Sequence, residues 1–433
     1  MKAAFYTLGC KVNQYESQIM AQQFAAAGFE TVPWSGPADV YVINSCSVTA
    51  QSEKKAAQLL RRLQREHPEA LLALCGCWPQ AFPQQAADTG AHVVAGTARS
   101  RLPLLVKQAM QDGRRVVEIE PHQKDESFEP MQADAMKGHT RAFVKIEDGC
   151  DRFCSYCIIP YARGRVRSKQ PADLAAEVEV LAAQGFKEIV LTGINLSSYG
   201  KGENFDLLDG VKAAAAVQGI ERVRLGSLEP DLTDDRLIEG LSKEKKFCPQ
   251  FHLSVQSGCD QTLKRMNRHY TAEEYLELCQ KLRTAFDLPA ITTDLMVGFA
   301  GETQEEFAQT LAFLQKAGFA KTHVFPYSRR PGTRADSMEG QLDESTKARR
   351  AEQAAAAAAQ SQQQFLQSMV GRIEPVLFER CSLAGKERGH TPNGTQVTVS
   401  CSRSLRGSIL PIRLTDVAPD GQGCLGRMVE ELP

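Results

Sequence analysis

Gly149-Cys150-Asp151-Arg152-Phe153-Cys154-Ser155-Tyr156-Cys157 places three cysteines at C-x3-C-x2-C spacing. It follows directly on residues 143–147, a short run that reads as a buried strand, so the thiols fall in the loop at that strand's C-terminal end. Three thiolates suit an iron–sulfur cluster, because sulfur is soft and this spacing lets one loop wrap a single cubane. A structural zinc site takes four ligands, and no fourth Cys or His stands nearby in the sequence. Three ligands on a four-iron cluster leave one iron open to another molecule. The plainer alternative is three buried, incidental thiols.

Outward from this loop, strand candidates recur at 188–191, 222–225, 251–255, 291–296 and 322–327, separated by helical stretches such as 171–184, 272–285 and 303–317. The alternation predicts an α/β array of six units. That is too few for a closed eight-stranded barrel, so a curved, partly open (β/α)6 barrel is expected, with its functional groups at the C-terminal strand ends. Upstream, β-rich runs at 3–8, 39–44, 71–74 and 92–95 alternate with helix-like 16–27 and 52–66, which reads as a parallel βαβ domain. Four segments follow: this domain at 1–115, a polar linker at 116–138 with Pro121 and Pro130, the barrel at 139–370, and a C-terminal unit at 371–433. The Gln/Ala-rich stretch 342–370 reads as a helical spacer. Short strands at 372–379, 396–400, 409–415 and 424–429 predict a small all-β barrel, a fold that serves both RNA-binding and plain interaction modules.

Cys10, Cys46 and Cys77 are 36 and 31 residues apart, yet each follows one of the first three long strands: Leu8-Gly9-Cys10, Asn44-Ser45-Cys46 and Leu74-Cys75-Gly76-Cys77. C-terminal strand ends lie along one edge of a parallel sheet, so three βα loops bring these thiols together. A second triad is therefore expected, with Cys75 left inside the strand; ordinary buried packing is the alternative.

Thirteen cysteines among 433 residues are an odd number and far below the ~8–10% of a disulfide scaffold. Hydrophobic content of 42% argues against disorder, and no apolar run approaches the ~20 residues of a membrane span. Together with an N-terminus unlike a signal peptide, this predicts a cytoplasmic protein without a membrane partner. The net charge of −1 conceals asymmetry: 171–320 holds 15 basic and 23 acidic residues, whereas 141–169 holds 7 and 3, 321–350 holds 7 and 4, and 51–67 holds 5 and 2. Candidate phosphate contacts are Arg163, Arg165 and Arg167, then Arg329, Arg330 and Arg334, then Arg380, Lys386, Arg388, Arg403 and Arg406. Taken singly, each reads as a solvated surface charge.

The C-x3-C-x2-C loop resembles that of the radical S-adenosylmethionine (SAM) superfamily, in which the open iron chelates the amino and carboxylate groups of SAM. The resemblance implies that Tyr156 lies near the adenine of SAM. It also implies further SAM contacts at the strand ends: Thr192, Gly193 and Asn195; Ser227 and Glu229; Gln256 and Ser257; Asp294 and Val297. Thr192-Gly193-Ile194-Asn195 stands where many members carry Gly-Gly-Glu. Glu229 and Asp294 read alternatively as helix caps.

With the second triad, the resemblance narrows to methylthiotransferases and covers essentially the whole chain, from the three-cysteine domain to a TRAM-like C-terminal barrel. Its motifs include Gly76-Cys77-Trp78-Pro79-Gln80, residues 149–160 with Arg163-Gly164, Gln256-Ser257-Gly258, Gly298-Phe299-Ala300-Gly301-Glu302 and Phe325-Pro326-Tyr327-Ser328. In Gly389-His390-Thr391-Pro392-Asn393-Gly394 the aromatic common after the Asn is missing, which argues against base stacking by that loop. The opening Thr7-Leu8-Gly9-Cys10-Lys11-Val12-Asn13 resembles the branch acting on tRNA adenosine 37 bearing an N6-threonylcarbamoyl group.

Such a resemblance implies two 4Fe–4S clusters, held by Cys150, Cys154 and Cys157 and by Cys10, Cys46 and Cys77. It further implies SAM as methyl donor and radical source, a tRNA anticodon stem-loop as partner, a low-potential electron donor and a sulfur source. No side-chain base can ionise the C–H bond at carbon 2 of adenine, so a cofactor-derived radical must remove that hydrogen, and no side chain is expected to act as acid or base. Rival readings are the same chemistry on isopentenyladenosine 37 or on an aspartate of ribosomal protein uS12, and a non-catalytic iron–sulfur RNA sensor.

Overall fold

β1 (Lys2–Thr7), β2 (Glu30–Val32), β3 (Val40–Ser45), β4 (Leu71–Gly76), β5 (Val93–Ala95) and β6 (Val116–Glu118) form an all-parallel sheet in the order β2-β1-β3-β4-β5-β6. The computed structural model describes residues 1–133, 139–383 and 385–429. β3 is buried along its whole length, as a strand covered on both faces must be. Val40 and Val42 pack with Met20 and Phe24 of helix Lys11–Ala26 and with helix Leu102–Asp112. Tyr41 and Ile43 pack on the other face with Leu60 and Leu63 of helix Ala50–Glu66. The chain passes from β1 to β2 on one side and to β3 on the other, so the crevice beyond the C-terminal ends of β1 and β3 is a topological switch point, where doubly wound sheets gather their ligands.

The central unit contains β7 (Arg141–Lys145), the small hairpin β8 (Glu147–Asp148) and β9 (Arg167–Ser168), β10 (Glu188–Thr192), β11 (Arg222–Leu225), β12 (Ser227–Leu228), β13 (Gln250–Leu253), β14 (Ala290–Val297) and β15 (Lys321–Pro326). Sheet β7-β10-β11 and sheet β12-β13-β14-β15 are parallel and meet through the Val223–Phe247 bridge and a 2.8 Å hydrogen bond from Cys248 N–H to Val223 O. The six longer strands and their helices enclose one continuous apolar core, making the open half-barrel expected from the sequence. Helix Glu344–Met369, about 39 Å long at 1.5 Å per residue, runs from the mouth of this barrel to its base.

At the base sits a closed antiparallel and parallel barrel of β16 (Ile373–Leu383), β17 (Lys386–His390), β18 (Gln396–Ser400), β19 (Ile409–Val417) and β20 (Cys424–Met428). It is fastened to the starts of the central strands. Arg222 donates to His390 O (3.1 Å) and to Pro375 O, Arg224 donates to Pro392 O (2.9 Å), and Asn393 donates to Leu288 O (3.0 Å).

Besides the two-residue β8, β9 and β12, three strands escape the sequence reading. β2 and β6 have three residues each, too short to show a period, and β17 (Lys-Glu-Arg-Gly-His) has no apolar alternation because it buries Glu387 and Gly389. The expected linker therefore starts too early, since 116–118 closes the sheet. Its later residues are docked: Met131 and Ala133 are buried, and Glu177 accepts from Ala133 N (2.8 Å) and from Tyr15 OH (2.9 Å).

Candidate active site

The loop after β7 is held from both sides. Cys150 N donates to Gly164 O (3.0 Å), Ser155 N to Met266 O (3.0 Å) and Ser155 Oγ to Arg265 O (2.8 Å). Burial pushes the Cys150 thiol up to about 12 and raises that of Cys157, and Cys154 stands close enough to both to oppose their ionisation further. Metal loading here must therefore release protons. Arg268 supplies compensating charge, donating to Cys154 Sγ (3.3 Å), Glu229 Oε1 (3.2 Å) and Ser254 O (3.1 Å). Gly149, at φ +88°, lies so near the returning chain that a Cβ would stand 1.9 Å from Arg165 O. Gly149→Ala is expected to lower both the Tm and the iron bound at this loop, measured by calorimetry and iron analysis, because backbone and not a flexible side chain blocks it.

The second set of thiols lies at the switch point. Cys10 is the N-cap of helix Lys11–Ala26, Cys46 follows β3, and Cys77 opens helix Cys77–Ala81 after β4. A Cβ on Gly9 would fall 3.0 Å from Cys46 Sγ, and Cys77 opposes the ionisation of both Cys10 and Cys46. The structure thus gathers the three residues that the strand-end argument selected. Cys75 points elsewhere, into the apolar layer below β4, with Met20 Sδ at 3.9 Å.

Between the two triads lies a buried charge group. Arg163 is fully buried; its Nε donates to Cys77 Sγ (3.1 Å), its Nη1 to Glu16 Oε1 (2.6 Å) and Asp148 Oδ1 (3.2 Å), and its Nη2 to Asn13 Oδ1 (2.7 Å). Lys145 Nζ joins Glu16 (3.1 Å) and Asp148 (3.0 Å), and Arg99 reaches Glu16 at 3.0 Å. Three cations against two carboxylates leave one positive charge beside the cysteines. Asp148 immediately precedes Gly149-Cys150, so this group ties the Cys77 loop to the Cys150 loop.

A cavity of about 550 Å³ opens between the sheet and the half-barrel. Val48 and Thr49 line it from the Cys46 loop, Gln51 from the first turn of helix Ala50–Glu66, and Tyr156, Cys157, Gln256, Asp294, Met296 and Tyr327 from the barrel. Gln256 adopts φ +64°, and its buried Oε1 has no hydrogen-bond partner. Of the residues expected around SAM, Tyr156, Gln256 and Asp294 therefore border one space. Asp294 lies within β14 opposite His252 (3.4 Å) and Glu229 pairs with Arg268, so neither carboxylate caps a helix.

Thr192, Gly193 and Asn195 end β10 against buried Glu147, whose Oε2 accepts from Asn195 N (2.6 Å) and whose Oε1 is unpartnered. Ser227 is exposed at the start of β12. Ser257 is fully buried and turns to Thr310 Oγ1 (3.3 Å) on helix Gln304–Ala317, and the Val297 side chain belongs to the apolar core, so at these two positions the backbone is what remains for SAM.

The basic residues separate by burial. Arg163 and Arg330 are corrected as phosphate contacts: Arg163 is committed to the group above, and Arg330, 2% exposed, is held by Glu53. Arg167 is largely covered between Glu126 (3.3 Å) and Asp148 (3.9 Å). Arg165 and Arg329 are about half exposed, pairing with Asp151 (3.2 Å) and Asp336 (3.0 Å), and Arg334, Lys386, Arg388, Arg403 and Arg406 are exposed. The Arg380 side chain lies outside the described residues. Among the described residues no helix is long and apolar enough to cross a membrane.

Sequence reasoning missed Arg268, Glu16, Glu147 and Lys347. For Arg268 a signal existed, the basic cluster Lys264-Arg265-Met266-Asn267-Arg268 inside an otherwise acidic region. For Lys347 it was hidden, because its helix reads as a spacer although its first turn reaches the cavity.

Residues 144–314 match the radical SAM superfamily, and residues 2–96 match the group described as uncharacterized protein family UPF0004. A radical S-adenosylmethionine methyltransferase, TsrM, from Kitasatospora setae shares the fold, with a TM-score of 0.58 at 16% identity over 77% of each chain. A half-barrel with a C-x3-C-x2-C loop at its mouth, matched to that superfamily, defines a radical SAM enzyme. The threonylcarbamoyladenosine tRNA methylthiotransferase MtaB of Bacillus subtilis is 35% identical over 438 residues, covering 99% of this chain and 97% of the relative. A tRNA-2-methylthio-N(6)-dimethylallyladenosine synthase of Finegoldia magna is 36% identical, covering 95% and 91%. The chain belongs to the radical SAM methylthiotransferase family. With that membership come SAM and a 4Fe–4S cluster. Cys150, Cys154 and Cys157 fit the cluster chemically: three thiols on one loop, a guanidinium against one of them, and a cavity alongside Cys157.

Proposed function

We propose that this enzyme inserts a methylthio group at carbon 2 of N6-threonylcarbamoyladenosine 37 in the tRNA anticodon loop, converting t6A to ms2t6A. The observation that carries the reading is the pair of cysteine sets tied together by the buried Arg163 group, with a cavity that Cys157 lines and that Val48 and Thr49 reach from the loop after Cys46. Cys10, Cys46 and Cys77 hold a second 4Fe–4S cluster on this reading. Bound there, SAM and the two clusters supply the radical that removes the C2 hydrogen and the sulfur that replaces it.

The chain's own contribution is placement and exclusion. Phe325 and Met296 give the base an apolar wall, Tyr156 and the unpartnered acceptor of Gln256 are left to SAM, and the cavity shields the reacting carbon from water. A base splayed out of an anticodon loop is the kind of target that proteins read by stacking and edge contacts. Arg165, Arg329, Arg334, Lys386, Arg388, Arg403 and Arg406 are the exposed cations offered to its phosphates. Turnover requires a low-potential electron donor and a sulfur source as partners, and tRNA as substrate places the enzyme in the cytoplasm.

The similarity to dimethylallyladenosine synthases favours isopentenyladenosine as the second reading. Mass spectrometry of tRNA nucleosides from a deletion strain is expected to show loss of ms2t6A with ms2i6A retained. Loss of ms2i6A alone, or of a uS12 modification alone, overturns the assignment. Release of 5′-deoxyadenosine from SAM and dithionite under anaerobic conditions separates the enzyme from a non-catalytic sensor.

A further inference from the structure

Of two polar groups in the cavity wall, one is weakly held and the other has no partner. Lys347, in the first turn of helix Glu344–Met369, has a side chain only 3% exposed; its ammonium lies 5.6 Å from the centre of the Tyr327 ring and donates to Glu344 Oε1 at 2.8 Å. Glu344 is 85% exposed, so that pair is screened by water and weakly held. The Lys347 stem rests on Gly298, where a Cβ would stand 2.5 Å from Lys347 Cγ. Tyr327 is 2% exposed, and its hydroxyl has no hydrogen-bond partner. Burial pushes that phenol up to about 12, so it stays a donor.

The remaining charges that border the cavity are engaged: Arg330 by Glu53, Arg329 by Asp336 and Asp294 by His252. The ammonium stands over the Tyr327 ring and both residues line one corner of the cavity, so a carboxylate entering there can accept from the ammonium and draw the unpartnered hydroxyl to itself. The threonylcarbamoyl group ends in a carboxylate; the isopentenyl group has none.

We propose that Lys347 and Tyr327 bind the carboxylate of the N6-threonylcarbamoyl substituent and thereby select an anionic over a neutral adenosine 37. This inference rests on the t6A reading above. A carboxylate could also reach this corner from the methionyl end of SAM, and the experiment separates the two sources.

Anaerobically reconstituted holoenzyme, as wild type, Lys347→Met, Lys347→Arg and Tyr327→Phe, would be tested on anticodon stem-loops carrying t6A37, its threonyl methyl ester, or isopentenyladenosine 37. Binding without SAM is read by fluorescence anisotropy, and kcat/KM by product mass spectrometry. Wild type is expected to bind the acid about 10- to 100-fold more tightly than the ester. Lys347→Met should bring the acid down to the level of the ester, Tyr327→Phe should narrow the gap, and Lys347→Arg should restore part of it. An unchanged acid-over-ester preference in Lys347→Met overturns the proposal. So does a rise in the KM for SAM that is equal on the acid and the ester stem-loops, which would assign the corner to SAM. If wild type modifies the isopentenyladenosine stem-loop and not the t6A one, the functional reading itself fails, and that appears before any variant is made.

Discussion

Cys77→Ala protein, reconstituted anaerobically, is expected to hold about half the iron of the parent chain, to cleave SAM and to transfer no sulfur. The expectation follows from the division of the thiols. Cys77 faces Cys10 and Cys46 and receives the Arg163 Nε–H, whereas Cys150, Cys154 and Cys157 form a separate loop with its own arginine. Cys75→Ala should keep full iron and sulfur transfer and lose only about 1 kcal/mol of stability, because its sulfur packs on Met20 in the apolar layer. Iron and sulfide analysis alongside 5′-deoxyadenosine release and methylthio product read both variants. A silent Cys77 and a dead Cys75 would show the thiols wrongly divided.

Arg163→Met carries the largest expected cost to stability, about 3–5 kcal/mol, the range for removing one member of a buried ion group. The guanidinium is fully buried, and its loss strips hydrogen bonds from Glu16, Asp148, Asn13 and Cys77 at once. Arg163→Lys keeps the charge but cannot reach all four partners, so an intermediate loss is expected. Denaturant unfolding of the metal-free chain measures the stability directly. If Arg163→Met unfolds at the parent's midpoint, the group does not brace the two loops. On the two-cluster reading proposed above, the iron retained should fall in the same order, from parent to Lys to Met.

The parts of this architecture visible in the sequence are those with local signatures. The C-x3-C-x2-C loop announces itself, and Cys10, Cys46 and Cys77 become a set once each is seen to follow a strand of one parallel sheet. What stayed hidden depends on partners distant in the chain. Arg163 looks like one of three surface arginines until Glu16, 147 residues away, is seen to face it. Arg330 is likewise removed from the surface by Glu53. Lys347 sits in an Ala- and Gln-rich helix whose composition describes its exposed length and not its first turn. Charge counts along the chain locate basic stretches but do not tell which cations already have buried acids to neutralise them.

The C-terminal barrel grips the starts of β7, β11 and the strands beside them, while both cysteine triads lie beyond strand ends. Five-residue β10 is about 17 Å long at 3.3 Å per residue, and the helix Glu344–Met369, which packs along β15, spans more than twice that. The molecule is thus a caliper with a fixed gap, its two jaws a barrel's height apart. On the function proposed above, RNA touched by the far jaw is a stretch remote from the modified base, so lengthening or shortening the stem of a substrate should change how tightly it is gripped before it changes how fast sulfur is transferred.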